Sequence, residues 1–170
     1  MGSEMCIRDR VIVTGLTKDK TRLEAAKRLG ADYVVDVQQN DFKEAIMDLT
    51  NGRGADAVVD CTTRRLPFIF TQAIDVLVRR GGIVVTQSYD LESFSLSLLT
   101  GKYGQLRACR GHSYKSVATG LEWIASGEAP LKELIGHHFP LEMTGEACLA
   151  SGGEGDGSDA VWVMVNPWMG

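Results

Sequence analysis

The chain has 170 residues, with 18 Lys and Arg against 22 Asp and Glu for a net charge of −4, and 44% of its residues are hydrophobic. Basic side chains never cluster beyond a pair, which argues against nucleic acid as a partner, because phosphate binding depends on clustered Lys and Arg. No apolar run approaches the ~20 residues of a membrane span, so we expect no membrane partner either.

The N-terminal segment, residues 1–10, has neither a helical nor a strand period and resembles the translation of a transposase-type sequencing adapter. We hypothesise that it is an assembly artefact and leave it out of the fold prediction. A natural disordered terminus is the alternative, and sequencing of the parent DNA separates the two.

From Val11 onward, short runs rich in Val and Ile alternate with amphipathic segments. Asp41, with Glu44 three residues later, predicts the start of a helix, and the run 51–54 predicts its end. The predicted strands are 11–15, 31–37, 57–60, 82–87 and 105–110, and the predicted helices between the first four are 21–30, 42–49 and 68–78. Continuous apolar strands separated by helices predict an α/β fold with a doubly wound parallel sheet.

The pattern changes after residue 88. Leu96, Leu98 and Leu99 predict a short edge strand, and residues 114–126 predict a helix. We expect that helix to turn three apolar side chains inward: Val117, Leu121 and Ile124.

The tail breaks the strand-helix alternation. It predicts a short helix near 131–135, an extended segment at 137–140, a helix near 144–150, a glycine-rich turn and a strand at 160–165.

A phosphate-binding glycine loop, G-x-G-x-x-G/A, has to follow a strand and open a helix. Residues 52–57 and 155–160 match this spelling, but both follow a predicted helix and lead into a strand. We therefore interpret both as turns. The strand 11–15 is then interpreted as the second strand of a dinucleotide-binding fold.

The end of that second strand usually carries an acidic residue that binds the adenosine ribose, and Gly15 stands there instead. Gly15 offers no charge against a 2′-phosphate, and Lys18, Lys20 and Arg22 follow within about one turn. This pattern favours NADP over NAD. The alternative is that Arg22 simply lies on a solvated helix face.

Four motifs together resemble the zinc-type alcohol dehydrogenase branch of the medium-chain dehydrogenases. They lie at residues 22–32 (RLEAAKRLGAD), 54–60 (GADAVVD), 81–85 (GGIVV) and 139–142 (FPLE). The resemblance implies an incomplete Rossmann-like sheet without its first strand and glycine loop, followed by a segment that returns to a catalytic domain. It also implies that the strand 160–165 lacks its sheet in this chain. It implies a truncated dinucleotide-binding domain at 11–112 and, at 113–170, a linking helix with the C-terminal part of the catalytic domain.

The resemblance also implies a set of cofactor-facing residues at the carboxyl ends of the strands. In this set Gly15, Leu16 and Thr17 would face the adenosine ribose, Thr62 and Arg64 the adenine, Gln87, Ser88 and Tyr89 the nicotinamide, and Cys109 with Arg110 a last cofactor-facing segment. Ordinary loop packing is the alternative for Thr62.

Family catalysis uses a zinc ion that polarises the alcohol oxygen during hydride transfer, and the resemblance places its ligands in the intact parent only. We expect no metal or catalytic residue in this chain. His112 is isolated, and His137 and His138 would point to opposite faces of an extended segment. Because the central first strand is missing as well, we predict a fragment that is inactive alone. The resemblance further implies that the parent forms a homodimer through edge strands near 98–106.

The cysteines favour a cytoplasmic protein. Once Cys6 is set aside, Cys61, Cys109 and Cys148 match neither a disulfide framework nor a zinc knuckle. We expect them to be reduced and buried as small apolar side chains.

Three other functions stay open. A zinc-independent quinone-type reductase of the same superfamily would share this part of the sequence, and upstream zinc ligands would separate the two. A Rossmann-like methyltransferase predicts a terminal antiparallel hairpin. A non-enzymatic relative would keep the fold for binding alone.

Overall fold

A computed structural model describes residues 10–62, 67–86, 95–127, 134–157 and 159–169. The chain divides into two compact units, one built from the described residues up to Gln39 together with those from Tyr114 onward, and one from Asn40–Ser113. No helix in the described ranges is long and apolar enough to cross a membrane.

Strands and helices follow the predicted order closely. They are β1 (Ile12–Gly15), α1 (Lys20–Arg28), β2 (Tyr33–Asp36), α2 (Phe42–Leu49), β3 (Ala57–Val59), α3 (Pro67–Asp75), β4 (Ile83–Thr86), α4 (Leu96–Thr100), β5 (Gln105–Ala108), α5 (Tyr114–Ser126), β6 (Ile135–Phe139), α6 (Thr144–Ser151) and β7 (Trp162–Val165). The predicted α/β class with parallel pairing is confirmed, because β1–β2, β3–β4–β5 and β6–β7 all pair in parallel.

In the first unit, β1 and β2 form a two-stranded sheet covered by α1. Gly15 at the end of β1 is the register partner of Asp36 at the end of β2. Leu23 and Ala25 on α1 are buried, which gives this βαβ element a small apolar core.

The second unit is centred on β4, which lies between β3 and β5. Its core is apolar and comes mainly from α3, β4 and α4, and consists of Phe70, Ala73, Ile74, Leu77, Val84 and Leu99. Helix α2 begins as predicted, since the Asp41 side chain accepts a hydrogen bond from the Glu44 backbone N–H at 2.8 Å.

Helix α3 is shorter than predicted, because it ends at Asp75 rather than at residue 78. Val76 and Val78 instead pair with the backbone of Ala55 through hydrogen bonds of 2.8 and 2.9 Å. The Lys102 ammonium group donates to the carbonyl oxygens of Asp75 at 2.5 Å and Leu77 at 3.0 Å, so it satisfies acceptors that the helix leaves open.

The edge strand predicted at Leu96, Leu98 and Leu99 is wrong, because these residues form the short helix α4. Leu99 alone is buried, whereas Leu96 and Leu98 are exposed. In the helix, only Leu99 faces the core. A strand would instead have placed Leu96 and Leu98 together on one face and Leu99 on the other.

The predicted bounds of α5 are confirmed at residues 114–126, but its orientation is wrong. Val117, Leu121 and Ile124 are all exposed, together with Trp123. The apolar period made the helix recognisable, but no described element covers this face closely.

The expectation of a strand without a sheet at 160–165 is also wrong, because β7 pairs in parallel with β6. Helix α6 crosses between them, and Ala147 and Ala150 pack with Phe139, Val163 and Val165. Ala147 and Ala150 give α6 only a narrow apolar stripe, so the sequence carries a weak signal for this βαβ unit. The helix predicted at 131–135 lies largely outside the described residues.

Candidate cofactor site

Gly15 ends β1 at the carboxyl edge of the first sheet. A β-carbon at this position would lie 3.2 Å from Leu23 Cδ2 and 3.3 Å from Asp19 Cβ. Contacts that short require neighbouring side chains to move, so the strand end is shaped around glycine. The acidic side chain that is usual at such a strand end would fit here only if these neighbours moved.

Thr17 is held at this edge by the end of β2. Its hydroxyl donates to Asp36 Oδ2 at 2.7 Å, and its backbone N–H donates to Gln38 Oε1 at 3.0 Å. The Gln38 backbone N–H in turn donates to Asp36 Oδ1 at 2.9 Å. A closed set of hydrogen bonds thus fixes the loop that follows Gly15.

Asp19 organises the basic side chain next to this loop. Its carboxylate accepts the Leu16 backbone N–H at 3.1 Å and pairs with the Arg22 guanidinium at 2.7 Å. Lys20 lies 4.0 Å from Glu24, and both side chains are largely exposed. The positive charge of Arg22 is therefore partly offset, which the sequence did not indicate.

The carboxyl edge of the second sheet carries polar groups on all three strands. The Thr62 backbone N–H donates to Asp60 Oδ1 at 2.9 Å, forming a tight turn after β3. Thr86 at the end of β4 is 4% exposed, and its hydroxyl has no hydrogen-bond partner among the described residues. The Cys109 N–H donates to the Thr86 carbonyl at 2.8 Å, and Arg110 follows on the exposed surface.

The structure therefore brings together two subsets of the predicted site residues. Gly15, Leu16, Thr17 and Arg22 share one edge of the first unit, and Thr62, Cys109 and Arg110 share one edge of the second. The remaining predicted residues, Arg64, Gln87, Ser88 and Tyr89, lie outside the described residues.

Sequence reasoning missed Asp36, Gln38 and Thr86. Asp36 and Thr86 each end a Val-rich strand, and this position was the signal that could have identified them. Their importance depends on lateral register, which joins Gly15 to Asp36 and Thr86 to Ala108.

The residues in the described ranges do not fit a zinc site, since they contain no group of three or more His, Cys, Asp or Glu side chains that could hold a metal. His137 and His138 alternate on β6, one half-buried and one exposed.

The cysteine expectation was wrong on burial, because Cys61, Cys109 and Cys148 are exposed free thiols. Cys61 and Cys109 follow strand ends and Cys148 lies on α6, so none of the three points into either apolar core.

Comparisons with known proteins agree with this architecture. A sorbitol dehydrogenase of Bacillus subtilis is 31% identical over 144 residues, which cover 81% of this chain and 38% of the relative. An NAD-dependent alcohol dehydrogenase of Sulfurisphaera tokodaii is 46% identical over 48 residues, 28% of this chain and 14% of the relative. The crystal structure of an alcohol dehydrogenase from Thermotoga maritima matches the fold with a TM-score of 0.76 at 22% identity, covering 93% of this chain and 44% of that one.

The chain thus spans less than half the length of these relatives. The sequence profile described as zinc-binding dehydrogenase matches residues 7–126, which is most of the chain. This protein belongs to the zinc-binding dehydrogenase family.

Proposed function

We propose that the chain is part of an NAD(P)-dependent oxidoreductase that transfers a hydride between an alcohol or carbonyl substrate and a nicotinamide cofactor. The observation that carries this proposal is the carboxyl edge of β1 and β2, where a closely packed Gly15 lies beside the hydrogen-bonded Thr17 and Asp36. Ligands of open α/β sheets bind at such edges. Family membership and the NAD-dependent relative support the same conclusion.

In this proposal the chain binds and orients the cofactor. Gly15, Leu16 and Thr17 would contact the adenosine ribose, because they lie at the carboxyl end of β1 and Thr17 presents a hydroxyl. Thr62 would lie beside the adenine, and the Thr86 hydroxyl, which has no hydrogen-bond partner among the described residues, would supply a polar contact at the end of β4. The bound nicotinamide supplies the hydride acceptor or donor.

NADP is the cofactor that we propose for the intact parent. Gly15 places no carboxylate against a 2′-phosphate, and Lys18 and Lys20 are exposed nearby. Arg22 contributes less than its charge suggests because of its pairing with Asp19.

The proposal for the parent also includes zinc, a small alcohol or carbonyl substrate and a cytoplasmic location. The zinc would be held by residues outside this chain. A homodimer would form through β5, whose four residues are all exposed at a sheet edge. The proposal also keeps the boundary after residue 112, between the truncated dinucleotide-binding domain and the segment that returns to the catalytic domain.

We further propose that this chain alone binds cofactor poorly and catalyses nothing. Among the described residues β1 pairs only with β2, whereas the complete sheet of such a fold is continuous across its nucleotide site. Methyltransferase function is disfavoured, because the terminal strands pair in parallel rather than as an antiparallel hairpin.

Titration of the isotope-labelled chain with NADPH and NADH, followed by amide NMR and calorimetry, tests the proposal. We expect weak binding, with shifts concentrated at residues 15–17 and at Thr62, and no turnover of alcohols. Micromolar binding or turnover would contradict the inactivity of the chain. Shifts absent from both strand edges would contradict the cofactor site itself.

A further inference from the structure

We propose that Asp36, acting through the Thr17 hydroxyl, is a positioning residue that limits the preference of the site for NADP over NAD. The inference rests on the proposed function, because it assumes that the adenosine ribose meets the edge formed by Gly15 and Thr17. Asp36 was absent from the residues expected to face the cofactor, and its role follows from the register that sets it beside Gly15.

The hydrogen bond between Thr17 and Asp36 can run in only one direction. An ionised carboxylate can only accept, so the Thr17 hydroxyl must donate its single proton to Asp36 Oδ2 over 2.7 Å. The lone pairs of the hydroxyl then remain for a ligand. Thr17 consequently presents an acceptor at this edge and cannot donate elsewhere while the bond holds.

The two possible ligands differ in hydrogen-bonding groups and in charge. A ribose 2′-hydroxyl can donate to the lone pairs of Thr17, whereas a phosphate group offers only acceptor oxygens and negative charge. The bound Asp36 carboxylate also repels that negative charge. The pair therefore favours the unphosphorylated ribose of NAD.

Nearby basic side chains oppose the effect of the Asp36 carboxylate. Asp36 cannot easily turn away, because Oδ1 also accepts the Gln38 backbone N–H at 2.9 Å. Arg22 is drawn to Asp19 at 2.7 Å and Lys20 lies 4.0 Å from Glu24, which leaves the exposed Lys18 as the main attraction for a 2′-phosphate. These opposing charges near Gly15 would leave NADP preferred over NAD by only a modest margin.

Titration of the full chain with two adenosine probes tests this inference. The probes are 5′-AMP and adenosine 2′,5′-bisphosphate, which differ only in the 2′-phosphate, and binding is read from the amide NMR shifts of Gly15 and Thr17. Asp36→Asn should move the ratio of the two dissociation constants toward the bisphosphate by roughly tenfold, as expected for removing one nearby like charge. Asp32→Asn, at the opposite end of the Asp32–Asp36 segment, makes the same change in net charge and should leave the ratio within about twofold.

A second pair of variants isolates the hydroxyl. Thr17→Val should weaken 5′-AMP and shift the ratio toward the bisphosphate, whereas Thr17→Ser should retain the parent ratio. Equal shifts for Asp36→Asn and Asp32→Asn, or a parent-like ratio in Thr17→Val, would overturn the inference while the proposed function stands. If neither probe shifts Gly15 or Thr17 in the parent chain, the inference and the proposed site both fall.

Discussion

Gly54 lies so close to Val76 that a β-carbon at residue 54 would come within 2.6 Å of the Val76 carbonyl oxygen. That carbonyl accepts the Ala55 N–H at 2.8 Å, so the contact belongs to the bridge that ends α3 and leads toward β3. The turn after α2 is therefore a packing element as well as a connection.

Gly54→Ala should lower the free energy of unfolding by about 3 kcal/mol or more, because it adds a clash to the cost of a left-handed backbone conformation. Gly54 has a φ of +88°. The matched control is Gly52→Ala, where φ is +76° but no atom lies within 4 Å of the added carbon. The control should lose only about 1–2 kcal/mol. Urea denaturation measures both, and equal losses would show that the approach to Val76 is unimportant.

Lys102→Met should destabilise the second unit by about 1–3 kcal/mol, because it leaves the carbonyls of Asp75 and Leu77 without their charged donor. Lys102→Arg keeps a donor and a charge, and should retain a larger part of the stability. Urea unfolding of the three proteins gives the comparison. A Met variant as stable as the parent would mean that water replaces the ammonium group at no cost.

Stability should also rise with pH through Lys102. Burial lowers the pKa of its ammonium group below the ordinary 10.5, and the Asp75 carboxylate offsets this only in part. Between the lowered pKa and 10.5 the unfolded chain binds more protons than the folded chain, so raising the pH through that window favours folding. The difference in unfolding free energy between parent and Lys102→Met should therefore grow toward pH 10.5. A difference independent of pH would contradict the assigned cause.

Local sequence patterns predicted where the helices lie better than they predicted what packs against them. The Asp41 cap and the bounds of α5 were readable because capping and the 3.6-residue period are local. Burial of the α5 face was not readable, since periodicity identifies an apolar face without saying what covers it. The leucines of α4 were misassigned because five residues are too few to separate the two periods.

The same limit applies to the candidate site. The position of Gly15 at the end of an apolar strand was readable from the sequence, and Thr17 entered the predicted site through the family resemblance. Asp36 could not, because its relation to Thr17 depends on the parallel register of β1 and β2. The shortened end of α3 was equally hidden, since its backbone partner Ala55 and its side-chain donor Lys102 are both distant from it in the sequence.

Asp41→Ala should cost about 1 kcal/mol of stability, because the Glu44 backbone N–H loses its acceptor at the start of α2. Asp41→Ser preserves a capping oxygen and should cost less. Thermal unfolding followed by circular dichroism measures both variants. Indistinguishable midpoints for Ala and Ser would show that solvent replaces the cap.

Leu121→Ala should change stability by less than about 0.5 kcal/mol, whereas Ile74→Ala should cost about 2–5 kcal/mol. Both substitutions truncate a branched aliphatic side chain, but Leu121 is 61% exposed and Ile74 is fully buried. Urea unfolding at two protein concentrations provides the measurement. A large loss for Leu121→Ala that depends on concentration would mean that copies of the chain cover the α5 face in solution. A large loss independent of concentration would mean that α5 packs within the chain, contrary to the exposure of its apolar face.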